Sequence, residues 1–291
     1  MTDTPEAAVI IPHYNDLERL GKCLDALAPQ VAAVGDRAEV IVADNASPCD
    51  LGPVRSAYPW VRFVTETEKG AGPARNRGVA ESAAPWLCFL DSDCVPGPDW
   101  LATALARAGS ADVIGGRVDT FDETPHPRSA AEAFETVYAF HQKHYVENRG
   151  FSVTANMLTA RSVFEDVGGF RNGYPEDIDW CRRARAKGYV LVYADDLAVA
   201  HPTRQDWPAM ARKMRRLTAE RLTLFGTGPK RRLLWAVRAF LVPGYALVQA
   251  PQALRHPGLS ARERLSALAM LARITGLRMV WMWRQALGLP I

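Results

Sequence analysis

Short, mainly apolar segments alternate with helix-forming segments along the first half of this 291-residue chain. Five of them have the length of a strand and are predicted strands: 8–11, 39–43, 60–64, 86–90 and 112–115. Apolar residues at helical spacing lie between them, and Pro73 is typical of a helical first turn. Strands that are apolar throughout and separated by helices predict a parallel sheet with helices on both faces.

Charge divides the chain into two parts. Residues 205–291 contain 15 basic and 3 acidic residues, which gives a net charge of +12. The first 204 residues contain 20 basic and 29 acidic residues, a net charge of −9. We therefore predict an acidic α/β domain over residues 1–204 and a basic, apolar, helical region over residues 205–291. The five cysteines form no CxxC pair and no basic leader opens the chain, which favours a reducing cytoplasm.

Polar residues follow several of the predicted strands. Asp44, the turn at residues 13–15 and the triplet Asp91-Ser92-Asp93 lie where strands end, and ligands of such sheets bind there. Because neither GxGxxG nor GxxxxGK[ST] is present, a bound diphosphate needs another source of positive charge. Two carboxylates in a bend predict a divalent cation, Mg²⁺ or Mn²⁺, that bridges to a diphosphate. The alternative is a surface turn with two solvated acids.

A second acidic cluster lies at Glu176, Asp177 and Asp179, at the start of a predicted helix. One acid in a first helical turn needs no functional explanation, because it caps free amides and suits the helix dipole. Three acids in four positions repel one another, which indicates that at least one is held for chemistry as a general base. An ion pair of Asp179 with Arg182 or Arg183 is the structural alternative for that residue.

Taken together and in order, these segments resemble glycosyltransferase family 2, the inverting GT-A enzymes that use nucleotide sugars. The resemblance runs from about Ala8 to His201, some two thirds of the chain. The matching segments are VIIPHYN at 9–15, VADNAS at 42–47, GPARNRG at 72–78, FLDSD at 89–93, ANM to GGF at 155–170, and EDIDW at 176–180. It implies a GT-A type, Rossmann-like, mainly parallel sheet flanked by helices, with a C-terminal helical region that associates with membrane.

The resemblance also implies roles for individual residues. Asp177 would be the base, with Glu176 orienting it or the acceptor, and Asn156 and Trp180 would lie on the acceptor side. The implied nucleotide-sugar ligands are Pro12, Tyr14, Asn15, Asp44, Arg75, Asp91 and Ser92. The implied metal ligands are Asp91, Asp93 and His201, where His201 has the alternative of an ordinary buried histidine. Asn45 departs from the family, which often has a second Asp there, so the nucleobase stays open.

The basic region has the composition of a membrane-binding segment. Residues 207–224 place apolar side chains at helical spacing opposite a cationic face, which is typical of an interfacial helix on anionic lipid. The apolar run 233–250 is only 18 residues long and contains Arg238, so a re-entrant or surface-lying hairpin is favoured over a span. Residues 265–289 contain arginines too frequently to span, and Trp281 and Trp283 resemble headgroup anchors. Nucleic acid is the competing partner, but the apolar content favours lipid.

The sequence thus predicts an inverting, metal-dependent glycosyltransferase on the cytoplasmic side of the cell membrane, as a peripheral or monotopic protein. It would move a sugar from a nucleotide-diphosphate donor to a glycan or lipid-linked acceptor in envelope or extracellular polysaccharide synthesis. One alternative is a haloacid dehalogenase-type phosphotransferase, since residues 91–95 satisfy DxDx[TV] with Asp91 as nucleophile. That motif normally closes the first strand of its fold, whereas here it follows the fourth. The other alternative is a non-catalytic protein that binds nucleotide sugar or membrane.

Overall fold

A mixed α/β fold is built around an eight-stranded sheet in the computed structural model, which describes residues 4–291. The described chain divides into two units. The sheet unit comprises residues 4–119, 141–172 and 176–201, and the helical unit comprises residues 120–140, 173–175 and 202–291. The helical unit therefore takes in two segments, residues 120–140 and 173–175, that lie well before position 205.

The strands follow the order β3-β2-β1-β4-β7-β6-β8-β5 in the sheet. Their bounds are β1 (Ala7–His13), β2 (Ala38–Asp44), β3 (Val61–Thr65), β4 (Trp86–Leu90), β5 (Val95–Pro96), β6 (Val113–Phe121), β7 (Asn156–Ala160) and β8 (Leu191–Pro202). The first four strands are parallel, as predicted from their mainly apolar character. From β4 onward the sheet continues with antiparallel pairs, β4 with β7, β7 with β6 and β5 with β8.

Helices cover the sheet and build the helical unit. In the sheet unit they are α1 (Leu17–Val34), α2 (Gly52–Ala57), α3 (Ala71–Ala80), α4 (Trp100–Arg107), α6 (Gln142–His144), α7 (Arg161–Val167) and α8 (Glu176–Ala186), with a 3-10 turn (Gly35–Arg37) and a π-helical turn (Tyr145–Arg149). Helix α3 packs closely on β1, since a Cβ atom at Gly78 would lie 2.6 Å from Ile10 Cγ2. That contact holds the GPARNRG segment against the sheet.

The helical unit contains α5 (Ala130–Tyr138), α9 (Trp207–Phe225), α10 (Pro229–Arg255) and α11 (Ala261–Ala286). Serine caps begin two of these helices: Ser129 and Ser260 each form a capping box with the glutamate three residues later. Phe134, Met210 and Ile274 pack together from α5, α9 and α11. One cluster of buried apolar residues thus ties these three helices together.

Two helices of this unit are long and apolar enough, by length and composition alone, to cross a membrane. They are α10, with 11% of its most apolar window buried, and α11, with 33% buried. By this measure α11 is also a candidate span, whereas the sequence analysis argues against a span there because the arginines are frequent. Low burial distinguishes α10 from a core helix, so its apolar side chains lie largely on the surface.

Candidate active site

Two buried side chains join the carboxyl ends of β1 and β2. The parallel register places His13 opposite Asp44, and His13 Nδ1 lies 2.8 Å from Asp44 Oδ1. Asp44 also accepts hydrogen bonds from the Ser47 hydroxyl and, at 2.9 Å, from the Ser47 amide. Burial raises the pKa of Asp44, but the hydrogen bonds from Ser47 and His13 outweigh burial and lower that pKa below its usual value. Asp44 is therefore ionised, and it is held at the carboxyl ends of β1 and β2.

The turns after β1 and β2 hold strained backbone. Asn15 and Ala46 both have a φ of 51°, a left-handed conformation that residues other than glycine seldom adopt. The Asn15 amide donates a hydrogen bond to Ser47 Oγ at 2.8 Å, which links the two turns. Pro12 is buried in β1, whereas Tyr14 and Asn15 are exposed. Of the three predicted ligands in this turn, Tyr14 and Asn15 are thus accessible to a nucleotide sugar.

Arg75 connects the two acidic motifs. Its side chain is only 3% exposed, and it donates to Asp91 Oδ1 through one terminal nitrogen and to Glu176 Oε1, at 2.8 Å, through the other. Burial lowers the pKa of Arg75, but the charges of Asp91 and Glu176 raise it above its usual value. The buried Nε of Arg75 has no hydrogen-bond partner among the residues that the structure describes. One buried cation therefore brings the DSD and ED segments into a single site.

Asp93 and His201 form a second contact at the DSD bend. His201 is buried, and its Nε2 lies 3.3 Å from Asp93 Oδ2, while Asp91, Ser92 and Asp93 are partly exposed. Within residues 4–291, no three His, Cys, Asp or Glu side chains are grouped as a ready-made metal site. Carboxylates and an imidazole are nevertheless donor types that suit Mn²⁺, and carboxylates suit Mg²⁺. The chemistry of these residues thus fits a divalent cation.

The ED motif occupies the first turn of α8, as predicted. Asp179 is buried and its Oδ2 lies 2.9 Å from Arg183 Nε, so the ion pair offered as its structural alternative is formed. Asp177 is partly exposed, and its Oδ1 accepts a hydrogen bond from the Ile178 amide at 2.7 Å. Glu176 and Asp179 are thus each held in an ion pair with an arginine. Asp177 remains the predicted base.

The two predicted acceptor-side residues lie inside the sheet unit. Asn156 is fully buried: its Oδ1 accepts from Trp100 Nε1 at 2.9 Å, and its Nδ2 donates to the carbonyls of Arg117 and Leu197. Trp180 is also fully buried and donates from Nε1 to the carbonyl of Gly168 at 3.0 Å. Any role of Asn156 or Trp180 toward an acceptor is therefore that of a positioning residue.

Three polar residues that shape the site are absent from the predicted ligands. Besides His13, they are Asn45 and Asn76, which fix loops from neighbouring elements. Asn45 Nδ2 donates to the carbonyls of Glu66 and Glu68, at 3.1 and 2.6 Å, so a carboxylate at this position would face two oxygens. Asn76 exchanges two hydrogen bonds with the backbone of Phe170, which fixes the GGF turn. For Asn45 the sequence held one signal, namely that an Asn stands where the family often has a second Asp.

The sequence profile of Glycosyl transferase family 2 matches residues 8–168, more than half of the chain. This chain belongs to glycosyltransferase family 2. The relative glycosyltransferase AglE of Haloferax volcanii is 34% identical over 215 residues, which cover 70% of this chain and 69% of that protein. A pre-mycofactocin glycosyltransferase of Mycobacterium tuberculosis is 28% identical over 286 residues, 92% of this chain and 52% of that protein. This glycosyltransferase therefore spans roughly half to two thirds of these relatives' length.

A solved structure shares the fold of this family 2 glycosyltransferase. The mannosyltransferase PcManGT of Pyrobaculum calidifontis, in complex with GDP-Man and Mn²⁺, aligns with a TM-score of 0.60 at 20% identity. The alignment covers 99% of this chain and 87% of that chain. The predicted GT-A fold is thus confirmed. Because the chain belongs to this family, the haloacid dehalogenase alternative is set aside. In that fold the DxD motif ends the first strand, whereas Asp91 follows β4.

Proposed function

We propose that this glycosyltransferase inverts configuration as it transfers a sugar from a nucleotide-diphosphate donor to a hydroxyl of a glycan or lipid-linked acceptor. Envelope or extracellular polysaccharide synthesis is the proposed setting. The observation that carries this proposal is the bridge from Asp91 through Arg75 to Glu176. It supports a single centre in which the donor's diphosphate and the acceptor's hydroxyl meet.

In this proposal the acceptor oxygen attacks the anomeric carbon from the face opposite the diphosphate. The bond from that carbon to the diphosphate oxygen breaks as the new glycosidic bond forms, which inverts the configuration without a covalent enzyme intermediate. Asp177 takes the proton of the attacking hydroxyl, and a helical first turn suits a carboxylate that must point into a cleft. Glu176, held by Arg75, positions Asp177 or the acceptor.

The donor side of the centre is assigned to the strand ends. Asp44, with Pro12, Tyr14 and Asn15, is proposed to bind the nucleoside, and Arg75 and Ser92 the diphosphate. Asp91, Asp93 and His201 would hold Mg²⁺ or Mn²⁺, and the Mn²⁺ bound in PcManGT supports this choice. When bound, the cation neutralises the departing diphosphate. GDP-Man in PcManGT makes guanosine nucleotides the first to test, and Asn45 leaves the nucleobase open.

We further propose that residues 1–204 form the catalytic domain and that residues 205–291 attach it to the cytoplasmic side of the membrane. The exposed apolar side chains of α10 and α11 and the +12 charge of this region support an anionic lipid surface as the partner. Nucleic acid, the competing partner for so many arginines, offers nothing to cover those apolar side chains.

A panel of nucleotide sugars tests the proposal. We expect one donor to raise the melting temperature only with Mn²⁺ or Mg²⁺ present, and we expect its slow hydrolysis to release a sugar of inverted anomeric configuration, read by NMR. Release with retained configuration would contradict the proposed mechanism. If a donor binds but is neither hydrolysed nor transferred to any acceptor, the protein is the non-catalytic binder instead.

A further inference from the structure

Helix α3 of the sheet unit holds Arg75 in a fixed place. A Cβ atom at Gly72 would lie 3.3 Å from Phe170 Cβ and 3.8 Å from Glu176 Cβ, so the helix packs closely against both residues. Asn76, which follows Arg75, exchanges hydrogen bonds of 2.8 and 2.9 Å with the backbone of Phe170. The guanidinium of Arg75 is thus positioned by the packing of its own helix before any ligand binds.

Arg75 neutralises one of the two carboxylates that are proposed to hold the divalent cation. One terminal nitrogen of its guanidinium donates to Asp91 Oδ1, and the other donates to Glu176 Oε1 at 2.8 Å. Asp93 makes a different contact, since its Oδ2 lies 3.3 Å from His201 Nε2. An arginine keeps its positive charge throughout the working pH range. A divalent cation that reaches Asp91 on its own therefore meets a carboxylate whose charge is already matched, beside a charge of its own sign.

The same guanidinium has a donor that lacks an acceptor. The side chain of Arg75 is only 3% exposed, and its buried Nε has no hydrogen-bond partner within residues 4–291. The N–H groups of an arginine form a planar fork, which suits the oxygens of a phosphate as well as those of a carboxylate. A diphosphate therefore offers Arg75 further acceptors, and it offers a divalent cation beside Arg75 the negative charge that both cations need.

We propose that Arg75 makes this site bind its divalent cation together with a diphosphate rather than alone. For a cation alone, the guanidinium weakens the attraction of Asp91. When a diphosphate is also bound, its negative charge offsets both the cation and Arg75, so each of the two ligands favours the binding of the other. The inference rests on the metal and diphosphate sites of the proposed function, and it adds that Arg75 couples the filling of one to the filling of the other.

The test measures the Mn²⁺ affinity of the full chain from the electron paramagnetic resonance of free Mn²⁺, with Mn²⁺ alone and with saturating GDP. UDP is tested in parallel, because Asn45 leaves the nucleobase open. Arg75→Gln should tighten the binding of Mn²⁺ alone by about fivefold or more, the lower end of typical couplings between sites. The same variant should weaken GDP or UDP binding in the presence of Mn²⁺ by about tenfold or more. A residue that only stabilised the fold would not move these two affinities in opposite directions.

Two control variants separate the charge of Arg75 from its packing. Arg75→Lys keeps the charge but loses the planar fork, so its affinity for Mn²⁺ alone should stay within about twofold of that of the unaltered chain. Arg77→Gln, which removes an exposed arginine of the same helix that pairs with Glu81, should change neither affinity. If Arg75→Lys binds Mn²⁺ alone as tightly as Arg75→Gln does, the positive charge is not the cause and the proposal is overturned.

A second pair of variants keeps the test valid if Arg75→Gln folds poorly. That substitution leaves the carboxylate of Glu176, which is 17% exposed, without its cation, so the melting temperature should fall. In a Glu176→Gln background, the same substitution at Arg75 leaves no such carboxylate unpaired. The double variant should bind Mn²⁺ alone about fivefold or more tightly than Glu176→Gln does. Equal affinities in this pair would overturn the proposal.

The outcomes also distinguish this inference from the proposed function. If the unaltered chain binds neither GDP nor UDP in the presence of Mn²⁺, and binds no nucleotide sugar, the proposed donor site fails. If it binds Mn²⁺ with one of these diphosphates, but Arg75→Gln changes the two affinities in the same direction or leaves both unchanged, only the coupling by Arg75 fails.

Discussion

The sheet unit and the helical unit differ in where they leave their apolar and charged side chains. Among residues 4–291, large apolar side chains are exposed in the sheet unit only at Tyr14 and Val190, whereas the rest belong to residues 233–289. In the sheet unit, the acids of two motifs converge on one buried arginine. In the helical unit, cations outnumber the acids that could pair with them. The unit that is proposed to catalyse transfer thus buries its large apolar side chains, and the unit that is proposed to attach to the membrane exposes many of its own.

Asp93→Asn is expected to have the largest effect and to act only on the sheet unit's function. Divalent-dependent binding of nucleoside diphosphate should fall by more than about 100-fold, because one of the proposed cation's carboxylate ligands is lost. Calorimetry with and without Mn²⁺ measures this, and vesicle binding should not change. Asp119→Asn, an exposed acid paired with Arg117, is the control. Unchanged affinity in Asp93→Asn would remove the DSD triplet from the site.

Asn45→Asp tests whether the loop that follows β3 is held by amide donation. The carboxylate would face the carbonyls of Glu66 and Glu68, so the free energy of unfolding should fall by about 1–3 kcal/mol. Urea unfolding measures the change. Asn172→Asp is the matched control, because Asn172 donates to the same loop at Lys69 but is exposed. Equal effects in both variants would show that burial of Asn45 does not matter.

Leu247→Glu addresses the open surface of the helical unit. Leu247 is 78% exposed, so a charge there should leave the melting temperature unchanged, yet vesicle binding should weaken by about tenfold if the side chain inserts into lipid. Val190→Glu is the matched control in the sheet unit, where Val190 is 57% exposed. Vesicle sedimentation reads both variants. If Leu247→Glu binds vesicles as well as the unaltered chain does, the exposed side of α10 does not face lipid.

Acid should weaken the helical unit slightly through Glu263. Hydrogen bonds from Ser260, opposed by burial and helped by Arg128, lower the pKa of Glu263 from 4.5 to about 2. Because the folded pKa is depressed, the stabilising contribution is complete above about pH 4.5 and is lost as pH falls toward 2. We expect Glu263→Gln to remove this part of the pH dependence, a difference of about 2–4 °C in melting temperature. Identical pH profiles would contradict it.

Local patterns predicted much of this molecule. The strand at residues 86–90 has the predicted bounds, and Asp177 lies in a helical first turn. Asp179 pairs with Arg183, which is one of the two arginines named as its alternative partners. These features depend on neighbours along the chain, where periodicity and capping rules apply directly.

Long-range pairings were not predictable in the same way. The contact of Arg75 with Glu176 joins residues 101 positions apart, and that of His13 with Asp44 joins residues 31 apart. The turn to antiparallel pairing after β4 is likewise set by which strand arrives beside it, since buried strands are apolar in either direction. In the helical unit, the sequence indicated a lipid-binding surface but not that residues 120–140 would join it, because that depends on how α5, α9 and α11 pack together.

The transfer rate of Asp177→Asn tests the central claim, that the ED motif supplies the base of an inverting transfer in the sheet unit. General-base assistance contributes about 10²–10⁴ in rate, so transfer should fall by that factor while donor affinity stays within about twofold. Near-normal transfer by Asp177→Asn, with transfer lost instead in Glu176→Gln, would move the base by one residue. Near-normal transfer by both variants would contradict the account, because the motif would then be no more than the acidic first turn of α8.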